Sequence, residues 1–380
     1  MVNGIGQDGT PFRLGYVPAL DGVRGIAILA VMAFNGQFLW MRGGFLGVDI
    51  FFALSGFLIT ALLIQGYDPT TGIGLKNFYF RRALRLLPAL FLLILFCIVY
   101  ALLLQPSDKA ANTLNGVLYS LFYVANWAQA PPNPPGIGPL SHTWSLSVEE
   151  QFYVVWPLLL LLLLRLNSRR LVILILYVLA VISVFLNIWF WQAGVPYLRM
   201  YFGTDTKANE LLIGCIAALL LSWKILTPDP RFKMVFHSLA LVGLGGIFAA
   251  FFLARHTDAF VYNGGFALIA LGTAILVLDI LLFPSAISRC FEFPPLVWIG
   301  KISYGLYLWH YPVFEGMKRL FEGRLDPVLL QVSGIVLTLL IAASSYYFLE
   351  RWFLKLKSRY KSDVSNAPLF GVSTRAAEGV

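Results

Sequence analysis

Apolar residues fill this chain in long blocks separated by short polar breaks. Eleven blocks stand out, at about 19–40, 44–66, 84–104, 114–129, 147–164, 171–192, 209–223, 234–253, 262–283, 302–317 and 328–349. Most approach the roughly 20 residues that a helix needs to cross a bilayer. Basic residues gather in four places: Lys76, Arg81, Arg82 and Arg85; Arg165, Arg169 and Arg170; Lys224, Arg231 and Lys233; and Arg351, Lys355, Lys357, Arg359 and Lys361. Cytoplasmic loops carry such excess, and all four groups share one side only if one block between Arg85 and Arg165 does not cross. Block 114–129 is broken by Asn115, Gly116 and Asn126 and runs into PPNPPG, so it is assigned to an outer excursion over about 105–146 that dips into the membrane or lies on it. The expectation is an all-α polytopic membrane protein with ten transmembrane helices, a re-entrant or interfacial segment near 114–129, and both termini cytoplasmic. Lys318, Arg319 and Arg324, on a predicted outer loop, run against that scheme.

Composition agrees with the pattern. Of 380 residues, 59% are hydrophobic and 12% charged, far outside the range of soluble domains. The formal charge of +9 would suit nucleic acid, but the basic residues flank apolar runs, which points to anionic lipid instead. Residues 1–15 lack an apolar h-region, so no cleavable signal is expected. Three parts are expected: a cytoplasmic segment 1–15, a membrane domain 16–357 and a disordered polar tail 358–380. Cys97, Cys215 and Cys290 are widely spaced and read as core residues, and no metal site is expected.

Candidate chemistry comes from polar groups inside apolar blocks, which are costly at membrane depth and so are functional candidates. In the first block Asp21 and Arg24 share a face, and Asn35 lies eleven residues beyond Arg24, roughly 16 Å up the same stripe. Asp49 in the second block is expected level with Asn35. Arg81 and Arg85, at i and i+4 beside Arg82, stand at the cytoplasmic mouth of the third block; phosphate recognition and a positive-inside flank read alike. HTWSLSVEEQFY carries His142, Trp144, Glu149 and Glu150 where a helix enters from outside. The adjacent carboxylates point about 100° apart, so at most one faces a cavity squarely. GTDTKANELLIGC brings Lys207 and Glu210 to another helix start, and KISYGLYLWHYPV places Tyr304 and His310 in one helix, where hydrogen-bonded packing competes with a chemical role for His310. Glu350 and Arg351 suggest a structural pair.

Taken in order, YVPALDGVRGIAIL, GGFLGVDIFFALSGFLIT, FYFRRALRLLPAL, HTWSLSVEEQFYVVWP, KISYGLYLWHYPV and YYFLER resemble the bacterial integral-membrane acyltransferase family three over about Tyr16 to Arg351. The resemblance implies a ten-helix core in the inner membrane that moves an acyl group, often acetyl from acetyl-coenzyme A, to hydroxyls of lipopolysaccharide, polysaccharide, peptidoglycan or macrolides. It implies that Arg24, Arg81, Arg82 and Arg85 serve acyl-CoA or the integrity of its site and that Glu149 or Glu150 belongs to the reaction centre; the polar candidates Asp21, Asp49, His142, Trp144, Lys207, Glu210, Tyr304 and His310 are expected to line the pocket. Two positions depart from the family. Lys207 stands for its usual arginine, which keeps the charge. Asn35 stands for its histidine, and an amide has no nitrogen that titrates near neutral pH, so the general base is missing there. Two readings of other classes stay open: a proton- or solute-coupled transporter, which also buries charges, and a catalytically dead binding relative.

Overall fold

The computed structural model describes residues 13–68 and 72–359. The polar tail expected from 358 onward falls outside the described residues except for 358 and 359, and so does the leading segment except for 13–15. In chain order the helices are α1 (Pro18–Asn35), α2 (Gly47–Gln65), α3 (Leu75–Leu104), α4 (Ser107–Leu121), α5 (Ala125–Gln129), α6 (Trp144–Leu164), α7 (Arg169–Gln192) and α8 (Tyr197–Phe202). There follow α9 (Thr204–Ser222), α10 (Lys233–Leu253), α11 (Phe266–Leu282), α12 (Ala286–Phe291), α13 (Pro294–Lys301), α14 (Ser303–Phe321), α15 (Pro327–Ser345) and α16 (Arg351–Arg359). A two-residue ribbon, β1 (Tyr67–Asp68) antiparallel to β2 (Gly72–Ile73), joins α2 to α3.

Eight helices among the described residues are long and apolar enough to span a bilayer. The chain is an all-α polytopic membrane protein. Two more helices, α9 and α14, have 19 residues each but carry Asp205, Lys207 and Glu210, or Glu315, Lys318 and Arg319. The segment near 114–129 divides between α4 and α5, with α4 packed on α3 and on the 3₁₀ turn Gly138–Thr143. At 15 residues, α4 is about 22 Å long and falls short of the roughly 30 Å hydrocarbon core.

Helix limits follow chemistry beyond the apolar count. α3 begins at Leu75, nine residues before its apolar block, because its basic foot packs on other helices and so needs no hydropathy to be helical. The last block does not stop at 349 but passes through a π-turn, Tyr346–Glu350, into α16. A second π-turn, Val261–Gly265, kinks the entry to α11, where Gly264 has φ 109°, a conformation glycine adopts without steric cost.

Much of the exterior is apolar, and several charges lie inside. Leu103, Val242, Leu253 and Phe348 stand exposed, while Asp49, Lys207, Glu210 and His310 are buried, as a lipid-solvated bundle requires. Glycine sets the tightest approaches. A Cβ on Gly56 would strike the Leu211 carbonyl and one on Gly214 the Ala53 carbonyl, which locks α2 to α9 backbone to backbone.

Candidate active site

The site is assembled from the foot of α1 upward. Gly22, Gly25 and Gly300 leave no room for a Cβ: their neighbours are the carbonyls of Phe291, Leu296 and Asp21. α12 and α13 are thereby pressed against the first turns of α1. Asp21, held there, accepts a hydrogen bond from Tyr16 Oη at 3.0 Å and faces Arg24 Nη1 at 3.6 Å. Arg85 of α3 lies within electrostatic reach of Arg24, Asp21 and Arg82, and Glu350 within that of Arg85. Glu350 also accepts from Ser345 Oγ at 3.2 Å. It is therefore not the Arg351 partner expected; neighbours in a helix diverge by about 100°, and Arg351 is exposed.

The arginines and the carboxylates meet. Arg82 donates to Glu150 Oε1 through Nε at 3.2 Å and Nη2 at 3.1 Å, and its guanidinium lies 3.0 Å above the centre of the Tyr153 ring. Glu149 turns the other way and accepts from Ser55 Oγ of α2 at 2.6 Å, as its angle to Glu150 requires. Arg24 and Arg82 both lie within electrostatic reach of Glu149. Tyr79 Oη, donating to the Val154 carbonyl at 3.0 Å, and Tyr304 Oη, donating to the Leu86 carbonyl at 2.9 Å, tie α3 to α6 and α14. Two groups expected at opposite membrane faces thus form one internal cluster. The reason is depth: Arg82 sits seven residues inside α3, about 10 Å along it, and α6 does not start at the surface. The turn 138–143 before α6 is folded into the bundle, where Tyr307 Oη donates to the His142 carbonyl at 2.8 Å and bonds Ser145 Oγ at 2.5 Å. Trp144 packs edge-on to Phe52.

Above that cluster lies an aromatic one. The His142 ring is 5.3 Å from His310 and stacks on Tyr311 at 5.5 Å between centroids. Among the described residues neither ring nitrogen of His142 nor His310 Nε2 makes a hydrogen bond of full geometry, although the His142 ring faces the Leu308 and Pro139 carbonyls; His310 Nδ1 lies 2.6 Å from the Tyr307 carbonyl. Asn35 ends α1 at this level: Gly36 touches Phe314, whose ring is 6.5 Å from that of His310. The Asn35 amide donates to the Val31 carbonyl of its own helix at 3.0 Å. Neither carboxylate bonds it. Glu149 lies within electrostatic reach of Arg24, three turns below Asn35, so the carboxylates and position 35 stand at different depths.

Asp49 is also placed differently. Gly44 and Gly47 abut the carbonyls of Ala30 and Ala27, so α2 starts beside the middle of α1, about 12 Å below Asn35. Asp49 instead accepts from Lys207 Nζ at 2.7 Å, and Lys207 also reaches Glu210 Oε1 at 3.4 Å. No member of the triad is more than 2% exposed, and the ammonium lies 3.0 Å over the Phe266 ring. Ser55, Ser145, Tyr153, Tyr307 and Tyr311 were not singled out from sequence. Hydroxyls and phenols in apolar helices are common, and their role appears only through partners distant in the chain.

The acyltransferase domain model matches residues 17–347. The chain belongs to the acyltransferase 3 family. Among relatives, the O-acetyltransferase OatA of Staphylococcus aureus strain NCTC 8325 / PS 47 is 37% identical over 344 residues, 88% of this chain and 57% of its own length. The protein of the same name from strain COL gives the same values. The chain thus spans little more than half the length of these relatives. No solved structure matches it. Within the acyltransferase 3 domain, then, an arginine–carboxylate centre at the foot of α1 and a histidine–tyrosine cluster at its head lie along one polar stripe.

Proposed function

We propose that this membrane acyltransferase is an acyl-CoA-dependent O-acyltransferase that moves an acetyl group to a hydroxyl of a sugar-containing acceptor, a glycan, glycolipid or macrolide. The observation that carries this reading is the arginine centre. Arg24, Arg82 and Arg85 gather beneath a bundle of apolar walls, with the carboxylates of Asp21, Glu149, Glu150 and Glu350 about them. Guanidinium groups suit phosphate oxygens, so the donor's phosphates belong at this foot and its thioester higher along α1. The acceptor hydroxyl attacks the thioester carbonyl, the new C–O bond forms as C–S breaks, and the coenzyme leaves as thiolate, which takes up a proton. A base must accept the hydroxyl proton. The name O-acetyltransferase carried by the relatives supports the acetyl group.

Asn35 occupies the base position and holds substrates without taking the proton, so this chain turns over slowly. A second reading rests on the head cluster, where the His142 and His310 rings lie 5.3 Å apart and one of them acts as base instead. With α9 and α14 added to the eight apolar helices among the described residues, the chain crosses ten times in this reading, and the four basic groups support both termini on the cytoplasmic side of the inner membrane.

Purified protein given labelled acetyl-CoA and a panel of glycosides and glycolipids tests the proposal. Acylated acceptor supports it. Donor binding without product identifies a binding relative, and solute uptake in vesicles without either identifies a transporter.

A further inference from the structure

We propose that the groove between the start of α7 and the end of α9 is a binding site for an anionic phospholipid, separate from the reaction centre. The groove encloses about 630 Å³, within the roughly 300–1,000 Å³ of small-molecule sites. Arg169, Arg170 and Lys224 form its basic side, and the rest of the lining is apolar or aromatic, with Ile173, Leu174 and Ile216 among it. Arg169 is fixed rather than free to wander: it donates to the Trp223 carbonyl at 3.2 Å, with its guanidinium 5.9 Å over the Trp223 ring. Arg170 beside it is exposed. The first turn of α7, a 24-residue helix, adds its N-terminal dipole at the same end, where Ser168 Oγ accepts from the Leu171 N–H.

Lys224 adds a cation from the α9 side. It follows Trp223, the residue that caps α9, with φ 53°, and Ile225 N–H closes back on the Leu220 carbonyl. That is the helix-ending position at which glycine is cheapest and a β-carbon is strained. A lysine there puts a cation into the groove against the local backbone preference.

The occupant follows from the two halves. The apolar half continues the lipid-facing surface, since Leu174 and Tyr177 are more than half exposed, so an acyl chain lies there at no cost in hydration. The basic half stands at the helix ends, at headgroup depth. A negatively charged headgroup joined to an acyl chain matches both, whereas a soluble anion matches only one.

Native mass spectrometry of the full chain in detergent, doped with phosphatidylglycerol or phosphatidylcholine, tests the site. The unaltered protein should retain one phosphatidylglycerol in preference to phosphatidylcholine. Arg170→Gln with Lys224→Gly should weaken that retention by about five-fold per charge removed. Lys224→Gly suits the backbone it replaces, so the fold survives, and an unchanged thermal transition verifies this. Lys233→Gln with Lys355→Gln removes two exposed charges elsewhere and should leave retention unchanged. Equal retention of both lipids, or equal loss in the control pair, overturns the proposal. Displacement of the lipid by excess acetyl-CoA also overturns it, by assigning the groove to the donor; the proposed reaction would stand in each case.

Discussion

The Arg82–Glu150 pair makes the sharpest demand on the site. With side chains 13% and 18% exposed, the two ions are mostly out of solvent. Removing one partner of a fully buried pair costs about 3–5 kcal/mol, because the other charge is stranded. Residual exposure at this pair lowers the expected cost of Arg82→Gln to about 2–3 kcal/mol, with the lost stacking on Tyr153 contributing roughly 0.5–1 of it. Glu150→Gln should cost less, about 1–2 kcal/mol, since the amide oxygen still accepts from the guanidinium and Tyr153 still faces it. In the double variant no charge is stranded, so its cost should fall well below the sum. A coupling energy of at least about 1 kcal/mol is expected from the cycle. The measurement is equilibrium unfolding in mixed micelles of rising dodecyl sulfate content, followed by tryptophan fluorescence for all four proteins. Additive losses, with coupling under about 0.3 kcal/mol, would show that the two groups do not share a site and would return Arg82 to the role of a membrane-flanking charge.

Three further outcomes are expected. Asn35→His should raise turnover by about 10²–10⁴-fold with donor affinity nearly unchanged, the usual contribution of a general base; full activity with asparagine in place, abolished by His142→Gln or His310→Gln, would move the base to the head cluster. Gly300→Ala should lower stability by about 1–3 kcal/mol, because the added methyl meets the Asp21 carbonyl and forces α13 off α1; an unchanged unfolding midpoint would refute that packing. Cysteine placed at Arg169 or Lys357 should react with an impermeant thiol reagent only in opened membranes, and one at Asn133 in intact cells; labelling of Arg169→Cys from outside would invert the ten-crossing arrangement.

Membrane residence, helical class and family were legible in the linear chain, because hydropathy is a local property and a segment either does or does not satisfy lipid on its own. The polar candidates were legible for the same reason: each stands out against an apolar run. Which of them meet was decided only by the tertiary structure. Arg82 and Glu150 are 68 positions apart and Lys207 and Asp49 are 158 apart, and pairing at such separations depends on how deep each helix sits and how it is turned. Those quantities are set by backbone contacts at Gly22, Gly47, Gly56 and Gly300, whose partners no local pattern names. Hence Asp49, expected opposite Asn35, is drawn to Lys207 by the start of α2 beside Ala27. Glu150, expected at the outer rim, reaches Arg82 because the turn before α6 enters the bundle. The charges were visible one by one, and the geometry that joins them exists only once the glycines have brought the helices into contact.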